Sequence, residues 1–257
     1  MGNANTARLD QLREAHKHAT MVGWDFSRLD GTMTSETPPW DFERDCLEAM
    51  LDAESVLDVG TGGGERLLSL VEQVKVTGKM LQRIEATEGW EPNVEVAKRA
   101  LEPHGIQVHW YDPAPGELLP CQNDAFDLVM NRHETLDAVE TARILKPGGR
   151  FLTQQVHGLE VPEFQDWFGS EPQYPHVTAE NYCSDLEVAG LEITTVEDWS
   201  GRMTFKDAEA LVTYLGLVPW DVPEDFTVDA HADRLLGLDA APISVTQRRF
   251  RVYAGKD

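Results

Sequence analysis

The segment best equipped for chemistry is Asp58-Val59-Gly60-Thr61-Gly62-Gly63-Gly64, which ends a short apolar run and opens a helical pattern. Glycines at alternate positions let the chain turn sharply and let a ligand touch backbone, while the helix behind them presents free N–H groups. The order acid-x-Gly-x-Gly-x-Gly differs from the Gly-x-Gly-x-x-Gly of dinucleotide-binding turns, and taken alone it also fits a tight turn that holds nothing. Glu88, in Ala86-Thr87-Glu88-Gly89-Trp90, follows 28 residues after Gly60 at the end of a second predicted strand. A carboxylate there can accept both hydroxyls of a ribose. Asp112, in Trp110-Tyr111-Asp112, ends a third strand and can accept from an adenine amino group, although an Asp before Pro113 is equally a turn opener. Taken alone, Glu88 fits a solvated loop residue equally well. Together the turn and the two acids place suitable groups at three successive strand ends.

These groups need a frame, and the hydrophobic pattern supplies one. Ser55 to Gly60 reads as a strand, and Leu67, Leu70, Val71 and Val74 recur at helical spacing behind it. Further strands are expected at about 82 to 87, 107 to 111 and 125 to 130, and at 150 to 156 after the turn Lys146-Pro147-Gly148-Gly149. Helical stripes lie between them, through Val94, Ala97 and Leu101 and through Ala138, Ala142 and Leu145. Strands alternating with helices imply an α/β fold with a doubly wound parallel sheet. Past 156 a segment rich in aromatics and prolines leads to a helix that Thr178 caps and Gly190 ends. Strands follow at 191 to 196 and 244 to 253, separated by an insertion with a helical stripe over 211 to 215. The expected organisation is therefore an N-terminal helical or lid segment, 1–50, and a domain, 51–257, with a lid insertion at about 200–243.

Composition narrows the partners. A length of 257 residues suits one large α/β domain with an appended region and one site. The formal charge of −23 argues against duplex DNA or large RNA, whose phosphates need a basic face. No apolar run approaches the ~20 residues of a membrane helix, and the start lacks a secretory stretch, so no membrane is expected and a cytoplasmic location is the natural expectation. Cys46, Cys121 and Cys183 are too far apart for a metal pair, and an odd count argues against a disulfide framework. No metal is expected. The oligomeric state is left open.

Val56-Leu57-Asp58-Val59-Gly60-Thr61-Gly62-Gly63-Gly64, Glu88, Asp112, Phe126-Asp127-Leu128-Val129 and Leu145-Lys146-Pro147-Gly148-Gly149, in this order, resemble the class I S-adenosylmethionine-dependent methyltransferases. The resemblance covers about residues 50 to 156. Gly23-Trp24-Asp25-Phe26-Ser27, Thr61-Gly62-Gly63-Gly64-Glu65-Arg66 and Asn131-Arg132-His133-Glu134 are similar to a bacterial branch of that family. It implies a Rossmann-like seven-stranded sheet with a reversed last strand, for which Ser244 to Tyr253 is the candidate. It also implies S-adenosyl-L-methionine as cofactor, held by Asp58, Gly60, Thr61, Gly62 and Gly64 at its methionine part, Glu88 at the ribose and Asp112 at the adenine. Trp90 stands where the family more usually has a small or aliphatic residue, and is expected to stack near the adenosine.

Asn131-Arg132-His133-Glu134 follows the fourth strand, where the resemblance places the transferable methyl. The Asn/Asp-Pro-Pro-aromatic sequence of base- and amide-methylating enzymes is absent here, which weakens nucleic-acid base methylation. Asn131 and Arg132 are expected at the cofactor, Arg132 through its carboxylate or a substrate anion, with an ion pair to Glu134 or Glu140 as the ordinary alternative. His133 is the candidate catalytic base, since a neutral imidazole can take a proton from an attacking hydroxyl. Its alternative is to cap the next helix. Trp24, Phe26, Trp40, Trp167, Phe168, Tyr174, Trp199, Tyr214 and Trp220 lie outside the regular wrap, as pocket walls for a small-molecule acceptor or as packing. The expected activity is methyl transfer to a small molecule. A non-catalytic cofactor- or partner-binding module and a nicotinamide-dependent oxidoreductase are the alternatives.

Overall fold

The computed structural model describes residues 2–21, 25–113 and 117–257, so Gly23 and Trp24 lie outside the described residues. In chain order the elements are α1 (Gly2–His18), β1 (Met33–Ser35), α2 (Phe42–Asp52), β2 (Ser55–Val59), α3 (Glu65–Val76), β3 (Arg83–Glu88), α4 (Glu91–Leu101), β4 (Gln107–Trp110) and β5 (Phe126–Arg132). They continue with α5 (Ala138–Ile144), β6 (Leu145–Val156), α6 (Glu163–Phe168), α7 (Ala179–Val188), β7 (Glu192–Phe205), α8 (Ala208–Leu217), α9 (Ala232–Leu238) and β8 (Ile243–Gly255). The chain divides into two compact units, one of residues 39–157, 176–198 and 249–257, the other of residues 1–38, 158–175 and 199–248.

In the first of these, β2 pairs in parallel with β3 and β5, β3 with β4, and β5 with β6. β8 runs antiparallel to β6 and is the reversed last strand. The full strand order is β1-β7-β8-β6-β5-β2-β3-β4. Side chains alternate across β2, so Val56 enters a core with Met50, Leu67, Val74, Leu101 and Leu128, while Leu57 enters another with Phe126, Val129, Phe151, Leu186 and Phe250. Both faces are thus covered, as parallel sheets require. Thr178 caps α7 by accepting from the Asn181 N–H at 3.2 Å.

Two elements depart from the sequence reading. β6 begins at Leu145 rather than after the Lys146–Gly149 turn, because Leu145 already pairs with Phe126 and the register then shifts to Leu128 and Arg150. Lys146 Nζ donates to Asp127 at 3.0 Å and to Ser55 Oγ at 2.9 Å, clasping the starts of β2 and β5. Burial works against ionisation of Asp127, but bonds from Ser55, Lys146 and Glu54 outweigh it and hold the pKa at about 2. β7 runs to Phe205, and its far end pairs with β1, which adds an eighth strand to the seven expected.

The second unit has its own core of Phe164, Phe168, Phe205, Leu211, Tyr214, Leu215, Leu235 and Val245. Phe168 and Tyr214, of the aromatics outside the regular wrap, are therefore packing residues, with Phe26 and Trp167 set against the same core. Arg8 of α1 ties to Asp239 at 2.8 Å and to Glu209 at 2.8 Å. No helix among the described residues is long and apolar enough to cross a membrane.

Candidate active site

The strand-end residues gather at the C-terminal edge of β2, β3, β4 and β5, all within one unit. β2 stops because Gly60, Gly62 and Gly64 take φ of +72°, +64° and +86°, the left-handed region that side chains disfavour. The loop is pinned to β3: the Thr61 N–H donates to Thr87 O at 2.9 Å, and the Gly60 N–H to Thr87 Oγ1 at 3.3 Å. Gly64 is the N-cap of α3 and brings no capping side chain, so the positive end of that helix faces the loop.

Glu88 closes β3 and is only 2% exposed. Its carboxylate accepts from the Gly62 N–H at 2.7 Å and from the Trp90 N–H at 2.9 Å. One oxygen goes to each donor, leaving each with a further lone pair for a hydroxyl. Burial raises its pKa, opposed by the N–H groups of Trp90, Gly62 and Gly89. Gly89 allows the next strand end to close up: a Cβ there would stand 2.5 Å from Tyr111 O and 2.9 Å from Asp112 Cα. Asp112 lies exposed, two residues past β4, and Trp90 is 39% exposed.

The turn after β5 behaves differently from its sequence reading. Asn131 is 2% exposed, and its Oδ1 accepts from Gln155 Nε2 at 2.7 Å and from the Glu134 N–H at 3.3 Å. Its side chain holds the turn together. His133 takes φ of +62°, a strained value for a non-glycine residue, and its N–H donates to Gln154 O at 2.9 Å. It does not cap α5, because Asp137 does so by accepting from the Glu140 N–H at 2.9 Å. The imidazole surface is exposed, yet the protein crowding it and the charges of Arg249, Arg132 and Arg66 push its pKa well below the ordinary value. Gln154 Oε1 accepts from Trp40 Nε1 at 2.7 Å, and Gln154 Nε2 lies 3.4 Å from His133 Nε2. An amide nitrogen only donates, so the neutral ring carries its proton on Nδ1.

Arg132 makes no ion pair with Glu134 or Glu140. Glu140 instead holds Arg143 at 2.6 Å and accepts from the Leu119 N–H at 2.7 Å. Glu134, passed over as a site residue in the sequence, packs on the glycine turn: a Cβ on Gly60 would stand 2.5 Å from Glu134 Cβ and 2.8 Å from its Oε2. Burial, with the charges of Glu88 and Asp112, raises its pKa to about 7 against the N–H of Thr135. Burial likewise raises Asp58 to about 6. Asn93, in the first turn of α4, is fully buried with no partner for its side-chain nitrogen or oxygen, and the buried Tyr111 hydroxyl also lacks one. Native interiors pair such groups almost without exception, so these point to a polar ligand. Neither residue shows a chemical motif in the sequence; only burial reveals them.

Residues 57–153 match the sequence model of a family described as methyltransferase domain. That segment, which includes the glycine turn, Glu88, Asp112 and the turn after β5, therefore carries the sequence pattern of a methyltransferase domain. It is 29% identical over 119 residues to the uncharacterized methyltransferase YcgJ of Bacillus subtilis, an alignment spanning 44% of this chain and 44% of that protein. The chain thus spans less than half the length of that curated relative. Among solved structures, YcgJ of Bacillus subtilis superposes with a TM-score of 0.53 at 18% identity, covering 83% of this chain and 98% of that one. A provisionally named methyltransferase of Bacillus halodurans C-125 gives a TM-score of 0.51 at 20% identity, covering 83% and 99%. At such identities the superpositions establish the shared fold.

Proposed function

We propose that this methyltransferase moves a methyl group from S-adenosyl-L-methionine to a small molecule, within the acid-lined cradle at the ends of β2 to β5. The observation that carries this reading is the buried Glu88 carboxylate, which ties the Gly62 and Trp90 N–H groups together and so shapes the glycine turn around one acid. The residues fit the cofactor. Glu88 keeps lone pairs for ribose hydroxyls, Asp112 stands beside it for the adenine amino group, and Trp90 offers a partly open indole for stacking. The backbone of Gly60, Thr61, Gly62 and Gly64 suits the methionine part, and Asp58 and Glu134 suit its positive charges. When bound, the cofactor supplies a methyl carbon made electrophilic by its sulfonium.

The chain's own contribution is placement, since holding the nucleophile in line with the methyl supplies much of the acceleration. His133, neutral at physiological pH because its pKa is pushed down, receives the acceptor proton once Gln154 swings away from Nε2. The strained backbone at His133 aims the ring, and Asn131 locks the turn that carries it. Calorimetry with S-adenosylmethionine, its demethylated product and NAD tests the cofactor assignment. Binding of the first two and not the third is expected; binding of NAD alone would end this reading. Incubation with labelled S-adenosylmethionine and fractionated extracts then identifies the acceptor. A labelled macromolecule, rather than a small product, would overturn the substrate class.

A further inference from the structure

We infer that Glu85, His109 and Cys121 form a binding site for a divalent cation of zinc's kind, joining the loop before β5 to the edge of the sheet.

Two of the ligands come from the sheet itself. β4 is an edge strand, paired in parallel with β3 so that Glu85 stands opposite Gln107 and Thr87 opposite His109. Side chains alternate, so Ala86 and Val108 enter the core that α3 and α4 cover, while Glu85 and His109 share the other face. Parallel strands are ordinarily apolar on both faces, yet this one offers Arg83, Glu85, Thr87, Gln107 and His109. Glu88 points to the opposite face from Glu85, which separates this place from the cradle around the glycine turn.

The third ligand comes from the loop over 117–125. Arg143 of α5 fixes that loop: its Nη1 donates to Cys121 O and to Asn123 Oδ1, both at 2.8 Å, and its Nη2 to Leu119 O at 3.0 Å. The backbone of Cys121 is thereby held while its thiol, at the margin of the Phe126 core, is free. One donor atom from each of Glu85, His109 and Cys121 lies within 4.8 Å of the others. Bonds of about 2.0–2.3 Å to a single ion set tetrahedral ligands roughly 3.5 Å apart, so side-chain rotation suffices to close the set. His109 and Cys121 are half-buried, which leaves an ion a way in from solvent.

The donors suit such an ion. Arg83 Nε donates to Glu85 Oε1 at 2.6 Å, and His109 Nε2 meets Glu85 Oε2 at 2.7 Å. Burial works against ionisation of Glu85, but these bonds outweigh it and hold its pKa below the ordinary value. The carboxylate is thus charged and oriented, with one oxygen braced by Arg83 and the other turned to the imidazole. Burial, with the charge of Glu85, pushes the Cys121 thiol up to about 11, so at neutral pH it is no nucleophile. A dication reverses that: the S–H proton leaves to solvent and the sulfur gives its electron pair to the ion. Thiolate, imidazole and carboxylate together favour zinc over magnesium or calcium, which take oxygen donors, and three protein ligands leave a fourth position for water.

The test uses the full chain, untagged and stripped with a chelator, titrated with Co²⁺ and then with Zn²⁺. One equivalent of Co²⁺ should produce the near-ultraviolet thiolate-to-cobalt band, Zn²⁺ should remove it, and affinity should rise with pH as the thiol proton is displaced. Cys121→Ser and His109→Gln should abolish the band, Glu85→Gln should weaken binding about tenfold or more, and Cys183→Ser should change nothing, each in protein of native circular dichroism. In the wild type, which requires no variant to fold, saturating Zn²⁺ should protect Cys121 but not Cys183 from alkylation, read by peptide mass spectrometry. The inference is overturned if no band forms, if the band survives Cys121→Ser or His109→Gln, if Glu85→Gln binds as the wild type does, or if Zn²⁺ leaves Cys121 alkylated as before. The three residues would then be an ion pair and a hydrogen bond beside a packing thiol.

Discussion

Two sides of the same sheet edge carry opposite charge and opposite bonding. Around the glycine turn the acids Asp58, Glu88 and Glu134 are drawn into the protein, and burial raises the pKa of each. Glu88 and Glu134 are met by backbone N–H groups rather than by cations. At the end of β5 the reverse holds: arginines surround a histidine whose pKa is pushed down, and Arg132 goes unpaired. Pairing the two sides directly would have neutralised both.

The largest effect expected from breaking this arrangement is at His133. With the acceptor in hand, His133→Ala should lower kcat by about 10²–10⁴-fold, the range for a general base, with cofactor affinity little changed. A change of only a few-fold in steady-state turnover would make the imidazole a positioning group. Gly60→Val comes next. A side chain there meets Glu134 Cβ at 2.5 Å with φ at +72°, so cofactor affinity should fall by roughly 100-fold or more, as read by calorimetry on protein whose circular dichroism is native. Unaltered affinity would place the cofactor elsewhere.

Glu88→Ala should weaken cofactor binding by about 1.5–3 kcal/mol, the range for hydrogen bonds to a charged group. An analogue lacking both ribose hydroxyls should bind wild type and mutant alike; a difference would detach Glu88 from the ribose.

The smallest expected effect concerns pH. Glu134 ionises near 7 in the fold against an ordinary 4.5, so between those values the folded chain holds a proton that the unfolded chain has lost, and stability falls as pH rises through the window. Glu134→Gln should therefore flatten the melting temperature profile between pH 4.5 and 7. A cationic cofactor favours the ionised form, so its binding to wild type in that window should release protons, measurable as a buffer-dependent heat that the variant reduces. Equal profiles for the two proteins would take Glu134 out of the cradle.

The turn at Asp58–Gly64, the strand-end Glu88 and the helical stripes were legible because each depends on neighbours a few residues away. Local steric rules place glycine where φ is positive, and periodic burial writes itself into a strand or helix. The extent of β7 and the short β1 were less so, since strand ends depend on what pairs with them rather than on propensity. Asn131 illustrates the limit. Its place at the end of β5 suggests a ligand contact, but the bonds its Oδ1 accepts from Gln155 of β6 and from the Glu134 N–H tie the strand end to its neighbour and to the turn that follows.

By itself the sequence determined the alternation of strands and helices, the glycine turn and the acids at the strand ends, because these follow from backbone sterics and hydrophobic period. Only the tertiary structure decided that Glu134 leans on Gly60, that Asn93 is buried without a partner, and that Arg249 reaches the end of β5 beside Arg132. Those relations join residues far apart in the chain. Burial and charge act through space, and no short spacing in a sequence records which distant side chains the sheet will bring together.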